Sequence, residues 1–282
     1  MPRSIHLCIL TALAACTPPN ETSAPASSAL EAAIAGHWRE PANVARDIWR
    51  HPAQTLSFFE IYPDQTVIEI IPGGGWYTEI LAPLLRDNGH YVAAVIDPDS
   101  AVNPSSQHYY DRQLKTLKIK LARLPRIYGR PEIRRFDEGH PQFGSPGSAD
   151  RVVTFRNVHN WRENGTAEAM FRGCFDVLKP GGILGVVGHR ANPDAANGGS
   201  AGYTTQSQVI AWAEQAGFEL EAASEINANP ADTKDHESGV WNLPPSFSLG
   251  AKNRAKYAAI GESDRMTLRF RKPVIDQAGH KG

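Results

Sequence analysis

Two rhythms of apolar and polar positions alternate along the chain. Short apolar or alternating runs predict strands: TVIEII (66–71), HYVAAVID (90–97), EIRRFD (132–137), RVVTF (151–155), ILGVVG (183–188), FELEAAS (218–224) and RMTLRF (265–270). Between them lie helix-like stretches: WYTEILAPLL (76–85), residues 105–124 with Leu114, Leu117, Ile119 and Leu121, GTAEAMFRGCFDVL (165–178), and TTQSQVIAWAEQAGF (204–218). Gly217 stops the last of these, and KPGG (179–182) predicts a turn. Ahead of the first strand, Leu30 to Phe59 predicts helix with breaks at Pro41 and Pro52. Residues four apart stack on a helix, which pairs Val44 with Ile48 and Arg46 with Arg50. Strands alternating with helices predict an α/β fold, a doubly wound and mostly parallel sheet that binds ligands at the carboxyl ends of its strands.

Composition changes this picture little. The chain has 282 residues, 41% of them hydrophobic, and a net charge of −1 without a Lys/Arg block. That suits a globular protein and argues against nucleic acid as a partner. No run approaches the roughly 18 apolar residues of a membrane span. The amino terminus stands apart. MPRSIHLCILTALAAC has an early cation, a short apolar stretch and a cysteine, which is the shape of a secretory signal. Its Leu13-Ala14-Ala15-Cys16 end resembles the lipobox of bacterial lipoproteins, which implies removal of residues 1–15 and lipidation of Cys16; a buried helix ending in Cys is the plainer alternative. TPPNETSAPASSA follows, and residues 16–30 read as a flexible tether. Thr17 after the cysteine points to the outer membrane, facing the periplasm. With Cys8 removed and Cys16 lipidated, Cys174 remains alone, a buried helical residue without a partner for a disulfide.

The chemistry gathers after the first strand, in VIEIIPGGGWYTEIL (67–81). Glycines between a strand and a helix let a ligand approach the backbone, and the helix start offers free N–H groups. No Gly-Lys-Ser/Thr follows, so this is not a P-loop, and Thr78 stands where a dinucleotide fingerprint has its third glycine. A purely structural turn is the competing account. Glu69, inside an apolar strand, needs a partner. Asp97 ends the next strand, where an acid suits ribose hydroxyls.

Here the chain resembles the class I S-adenosylmethionine-dependent methyltransferases, whose first motif is an acidic residue and then G-x-G-x-G. It reads Glu69-Ile-Ile-Pro-Gly73-Gly-Gly75, with Ile71 at the family's first glycine. The resemblance implies cofactor contacts at Glu69, Gly73, Gly74 and Gly75, a ribose contact at Asp97, and an adenine contact near Asp137 in FDEGHP. ADRVVTFRNVHNW (149–161) resembles the fourth motif, with Arg156, Asn157 and His159 at the strand end and Asn157 among the cofactor contacts. LKPGGILGVVGH (178–189) resembles the following helix, turn and strand, and AGFELEAAS with DRMTLRFRKP resembles the closing antiparallel pair. The implied fold is a seven-stranded, methyltransferase-like Rossmann sheet with an antiparallel last strand and a helical amino-terminal extension. The organisation would be a cap over 31–62, a main domain over 63–273 with a lid insertion over 227–263, and a tail over 274–282. With NVARDIWRHPAQTLSFF and VWNLPP, the chain looks like a bacterial group of exported methyltransferase-like proteins.

The resemblance implies S-adenosylmethionine as cofactor and methyl transfer to a small molecule. A sulfonium methyl is already electrophilic, so the site has to place a nucleophile, exclude water and sometimes take a proton. His159 and His189 are the candidate bases, against ordinary structural histidines. Arg50 and His51 are expected to face the pocket, with Arg156 and Trp241 on the substrate side and no metal. A cytoplasmic cofactor would not obviously reach an exported lipoprotein. Alternatives therefore stay open: a non-enzymatic binding protein on the same fold, a cytoplasmic location, or an NAD-binding oxidoreductase.

Overall fold

The computed structural model describes residues 23–274, with side chains from residue 27. The signal segment, Cys16 and most of the tail lie outside the described residues. Seven strands form one sheet in the order β3-β2-β1-β4-β5-β7-β6. They are β1 (Thr66–Ile70), β2 (His90–Ile96), β3 (Glu132–Phe136), β4 (Ala149–Phe155), β5 (Leu178–His189), β6 (Glu219–Ser224) and β7 (Arg265–Arg271). The first five run parallel, and β7 is antiparallel to both β5 and β6. This is the expected doubly wound sheet with its antiparallel ending. KPGG does not separate two elements: β5 continues through it, and its pairing with β4 shifts register there.

Eleven α-helices are described: α1 (Ser23–Ile34), α2 (Pro41–Val44), α3 (Asp47–Arg50), α4 (Pro52–Phe58), α5 (Thr78–Leu85), α6 (Pro104–Arg123), α7 (Pro125–Tyr128), α8 (Val158–Glu163), α9 (Ala167–Val177), α10 (Gln206–Ala216) and α11 (Arg254–Ile260). Side chains alternate across a strand, and the two faces of the sheet carry separate cores. Ile68, Ile70, Val92, Ala94 and Ile96 pack with Trp161, Phe171 and Cys174 on one face. Val67, Tyr91, Ala93 and Val95 pack with Leu56, Phe59, Ile80 and Leu117 on the other. Gly185 of β5 must be bare, because a Cβ there would stand 2.6 Å from the Phe59 ring. Local signals set the helix ends. Asn103 caps α6 by accepting from the Ser106 N–H at 2.9 Å, and Gly217 ends α10 with φ 108°.

The amino-terminal region corrects two expectations. The stretch read as tether becomes α1 from Ser23, whose Leu30 and Ala33 are buried in the second core. Alanine-rich sequence is also good helix, and an apolar surface to dock on decides between the two. The segment from Pro41 to Arg50 is two short helices rather than one. Val44 and Ile48 are exposed there, while Arg46 and Arg50 both turn inward onto Glu262.

Candidate active site

At the carboxyl ends of β1, β2, β4 and β5 lies a cavity of about 540 Å³. Its floor is the loop after β1. Ile71 takes φ 51° where the resemblance places a glycine, a conformation unfavourable for a β-branched residue. Asn157 holds this loop in place: its Nδ2 donates to the carbonyls of Ile70 (2.9 Å) and Ile71 (3.3 Å) and to Thr154 Oγ1 (3.1 Å). Gly73, at φ 57°, and Gly74 line the cavity, and a Cβ built at either meets nothing within 4 Å. Gly75 does not line it. Its φ of 77° and the Lys120 stem, 3.1 Å from a would-be Cβ, account for that glycine. Lys120 in turn pairs with the buried Glu79 of α5, which also accepts from Asn43 Nδ2 at 3.0 Å.

Glu69 is 2% exposed and borders the cavity. Burial pushes its carboxyl up to about 7, against the Tyr91 hydroxyl (2.6 Å) and the Thr78 hydroxyl (2.9 Å) that donate to it and favour the charged form. The partner demanded by a carboxylate in an apolar strand is thus a pair of hydroxyls.

The wall opposite is cationic. Arg46, Arg50 and Arg156 all line the cavity. Arg50 Nε lies 3.2 Å from Glu262 Oε2, and its guanidinium sits 4.8 Å from the centre of the Trp76 ring. Arg46 Nε is 2.6 Å and Arg265 Nη1 3.0 Å from the same carboxylate. Burial, then Arg156, holds Arg50 well below its ordinary value. Burial outweighs Glu262 in bringing Arg156 down to about 10.

His159, on α8, and His189, at the end of β5, stand 5.2 Å apart ring to ring and both border the cavity. Burial, then Arg156 and Arg162, brings His159 down to about 4, and its Nδ1 is buried without a partner. Burial, then His159 and Arg156, holds His189 well below its ordinary value, and its Nδ1 lies 2.5 Å from Ser263 Oγ. Both rings are neutral at pH 7. Trp241 stands 6.0 Å from His159 and closes the site with Val240, Pro244, Pro245 and Ser246 from the 227–263 insertion. That insertion is strapped down by Asn227, which donates to Thr55 and Thr267 hydroxyls, each at 3.0 Å.

Besides Gly75, three expected residues fall elsewhere. His51, at φ 40° between α3 and α4, does not line the cavity. Its neighbour Arg50 does, because the left-handed residue turns the chain away. Asp97 lies outside the lining as well. Its carboxylate accepts from the Asp99 N–H at 2.9 Å and pairs with Arg135 of β3. Asp137 caps its own loop, accepting from the Gly139 N–H at 2.9 Å, and it is the adjacent Glu138 that borders the cavity. Burial raises Glu138, whose oxygens accept from Asn164 (3.1 Å) and Thr166 (3.2 Å). Asn43, Tyr109 and Tyr110 also border the site and carry no motif to mark them.

No family model matches the chain, and no curated protein matches it. Among solved structures it is similar to a SAM dependent methyltransferase from Aquifex aeolicus, at 15% identity and TM-score 0.50, covering 87% of this chain and 98% of that one. It is also similar to the [4+2]-cyclase SpnF, at 16% identity and TM-score 0.53, covering 88% and 93% respectively. With the strand order β3-β2-β1-β4-β5-β7-β6, these likenesses establish a methyltransferase-like Rossmann fold.

Proposed function

We propose that the cavity binds S-adenosylmethionine and that the protein transfers its methyl group to a small-molecule acceptor. The observation carrying this reading is the Gly73–Gly74 pair. Both residues border a 540 Å³ space, and no protein atom occupies the place of a side chain at either. That volume falls within the roughly 300–1,000 Å³ of small-molecule sites. Glu69 beneath the loop suits the ammonium of an amino-acid moiety, while Ile71 and Ile96 supply apolar lining. Similarity to a SAM dependent methyltransferase supports the choice of cofactor through fold alone.

Bound in the cavity, the cofactor supplies an electrophilic methyl group. The chain's own part is to place an acceptor and shed water. Trp241, Pro244 and Pro245 close the site, and Asn157 fixes the loop through the carbonyls of Ile70 and Ile71. His159 borders the cavity and is neutral at pH 7, and it is the side chain assigned to accept a proton from the acceptor.

Thermal denaturation of the full chain with S-adenosylmethionine, S-adenosylhomocysteine or NAD tests the reading. A ligand at 100 times its Kd stabilises by about 2.7 kcal/mol, so S-adenosylhomocysteine is expected to raise Tm and NAD to leave it unchanged. A rise with NAD alone would establish the oxidoreductase alternative instead. A second reading, a binding protein that kept the fold and changed its ligand, draws on the weak basicity of both histidines. It predicts a folded protein whose Tm is raised by neither S-adenosylmethionine nor S-adenosylhomocysteine.

Export and lipidation at Cys16 belong to the same proposal, supported by the apolar run and the Leu-Ala-Ala-Cys ending. The full chain is expected in the membrane fraction of its host and a Cys16→Ser variant in the soluble fraction. Equal distribution of the two would end that part of the account.

A further inference from the structure

Arg50 is 1% exposed, yet it satisfies only one of its nitrogens with a side-chain partner. Nε is spent on Glu262, while Nη1 and Nη2 are buried without a hydrogen-bond partner. Arg46 repeats the arrangement, with Nε on Glu262 and Nη2 unpartnered. Arg156 borders the same cavity, and its side chain donates no hydrogen bond among the described residues. A guanidinium cannot shed its proton to escape this. Leaving a buried donor unmet costs about 1–3 kcal/mol, and more when the group is charged. Positive charge is therefore gathered, largely uncompensated, at the wall of the cavity.

The charge count says what kind of ligand. Arg50, Arg265, Arg156 and Arg46 all act on one carboxylate, Glu262. The two acids that border the cavity itself answer elsewhere. Glu69 is held by Tyr91 and Thr78, with Lys120 as its charged neighbour, and Glu138 by Asn164 and Thr166. The two histidines are neutral at pH 7 and add no charge of either sign. Four cations thus face one anion. S-adenosylmethionine cannot correct the excess: its carboxylate is outweighed by its own ammonium and sulfonium. Negative charge has to arrive with the other reactant.

We infer that the cavity takes an acceptor bearing an oxyanion, a carboxylate or a phosphate, held by the guanidinium of Arg156 with the charges of Arg50 and Arg46 behind it. Two parallel N–H groups match the two oxygens of either group. The role of acceptor rests on the methyl-transfer reading; the anion site itself does not. Trp241 and Phe155, which border the same cavity, offer the remaining body of the molecule apolar surface.

Calorimetry on the full chain tests this with inorganic phosphate and with benzoate, each with and without saturating S-adenosylhomocysteine, at ionic strength fixed with chloride. One of the two probes is expected to bind saturably with S-adenosylhomocysteine already in place. Which one binds tells a tetrahedral from a planar oxyanion. Arg156→Gln is expected to weaken that binding at least tenfold and S-adenosylhomocysteine binding less than threefold; it breaks no ion pair or hydrogen bond, so the fold is expected to survive. Arg156→Lys, which keeps the charge and loses the fork, is expected to weaken the same probe by a smaller factor than Arg156→Gln. Displacement of the probe by S-adenosylhomocysteine would overturn the inference, because the arginines would then hold the cofactor's own carboxylate. Binding of neither probe above chloride would overturn it too. If S-adenosylhomocysteine fails to bind while a probe binds in an Arg156-dependent way, the anion site stands and only the methyl-transfer reading falls.

Discussion

Replacing Glu262 by Gln is expected to lower the unfolding free energy by about 3–5 kcal/mol, the cost of removing one partner from a buried ion cluster. Glu262 is 3% exposed and receives Arg46, Arg50 and Arg265 within 3.2 Å. Glutamine keeps the shape and removes the one negative charge, leaving the guanidinium groups to repel each other in a site that water enters poorly. The change also carries a pH signature. Burial pushes the Glu262 carboxyl up, but Arg50, Arg265, Arg156 and Arg46 together outweigh it and hold it at about 2, below the ordinary 4.5. A depressed acid contributes stability that is complete above 4.5 and fades as pH falls through 2. The wild-type protein should therefore lose stability over that window faster than Glu262→Gln, so that the two denaturation curves converge in acid. A loss below 1 kcal/mol at pH 7 with parallel acid limbs would show that the cluster is solvated and not a buried one.

Gly74→Val is expected to leave folding intact and remove cofactor binding. Gly74 has no left-handed backbone to strain, and a Cβ there meets nothing within 4 Å, so stability should change by less than about 0.5 kcal/mol. The added methyl groups enter the space assigned to the cofactor's amino-acid end. A loss of more than about 1.4 kcal/mol of binding, a factor of ten, is expected for S-adenosylhomocysteine. Gly75→Ala makes the contrast. That glycine is explained by its φ of 77° and by the Lys120 stem, so it should cost stability first. Unchanged affinity in Gly74→Val would mean that the bare loop serves only the turn.

The strands were legible as short apolar or alternating runs between turn signals, and β6 and β7 could be paired from the resemblance. Gly73 and Gly74 were legible for the same reason that Glu69 was, as departures from what an ordinary strand and helix require. The ion pairs were not. Glu262 lies 212 positions from Arg50 and sits in a stretch whose sequence marks it only as a long insertion. Asp97 ends its strand where a ribose-binding acid is expected, but Arg135, 38 positions on, takes its carboxylate across the neighbouring strand. Asp137 and Glu138 differ by one residue in a loop, and a one-residue step decides which carboxyl turns inward. Arg46 and Arg50 were placed together by helical spacing, although the helix breaks between Val44 and Asp47. Composition alone could not separate tether from helix at Ser23–Ile34, since the answer lay in the surface against which Leu30 packs.

Titration of S-adenosylhomocysteine into the full-length protein at neutral pH is the most direct measurement of the central claim. Saturable binding at one site per chain is expected, at least tenfold weaker in Gly74→Val and nearly unchanged in Arg156→Gln. Absence of saturable heat from wild-type protein that is folded by circular dichroism would contradict it.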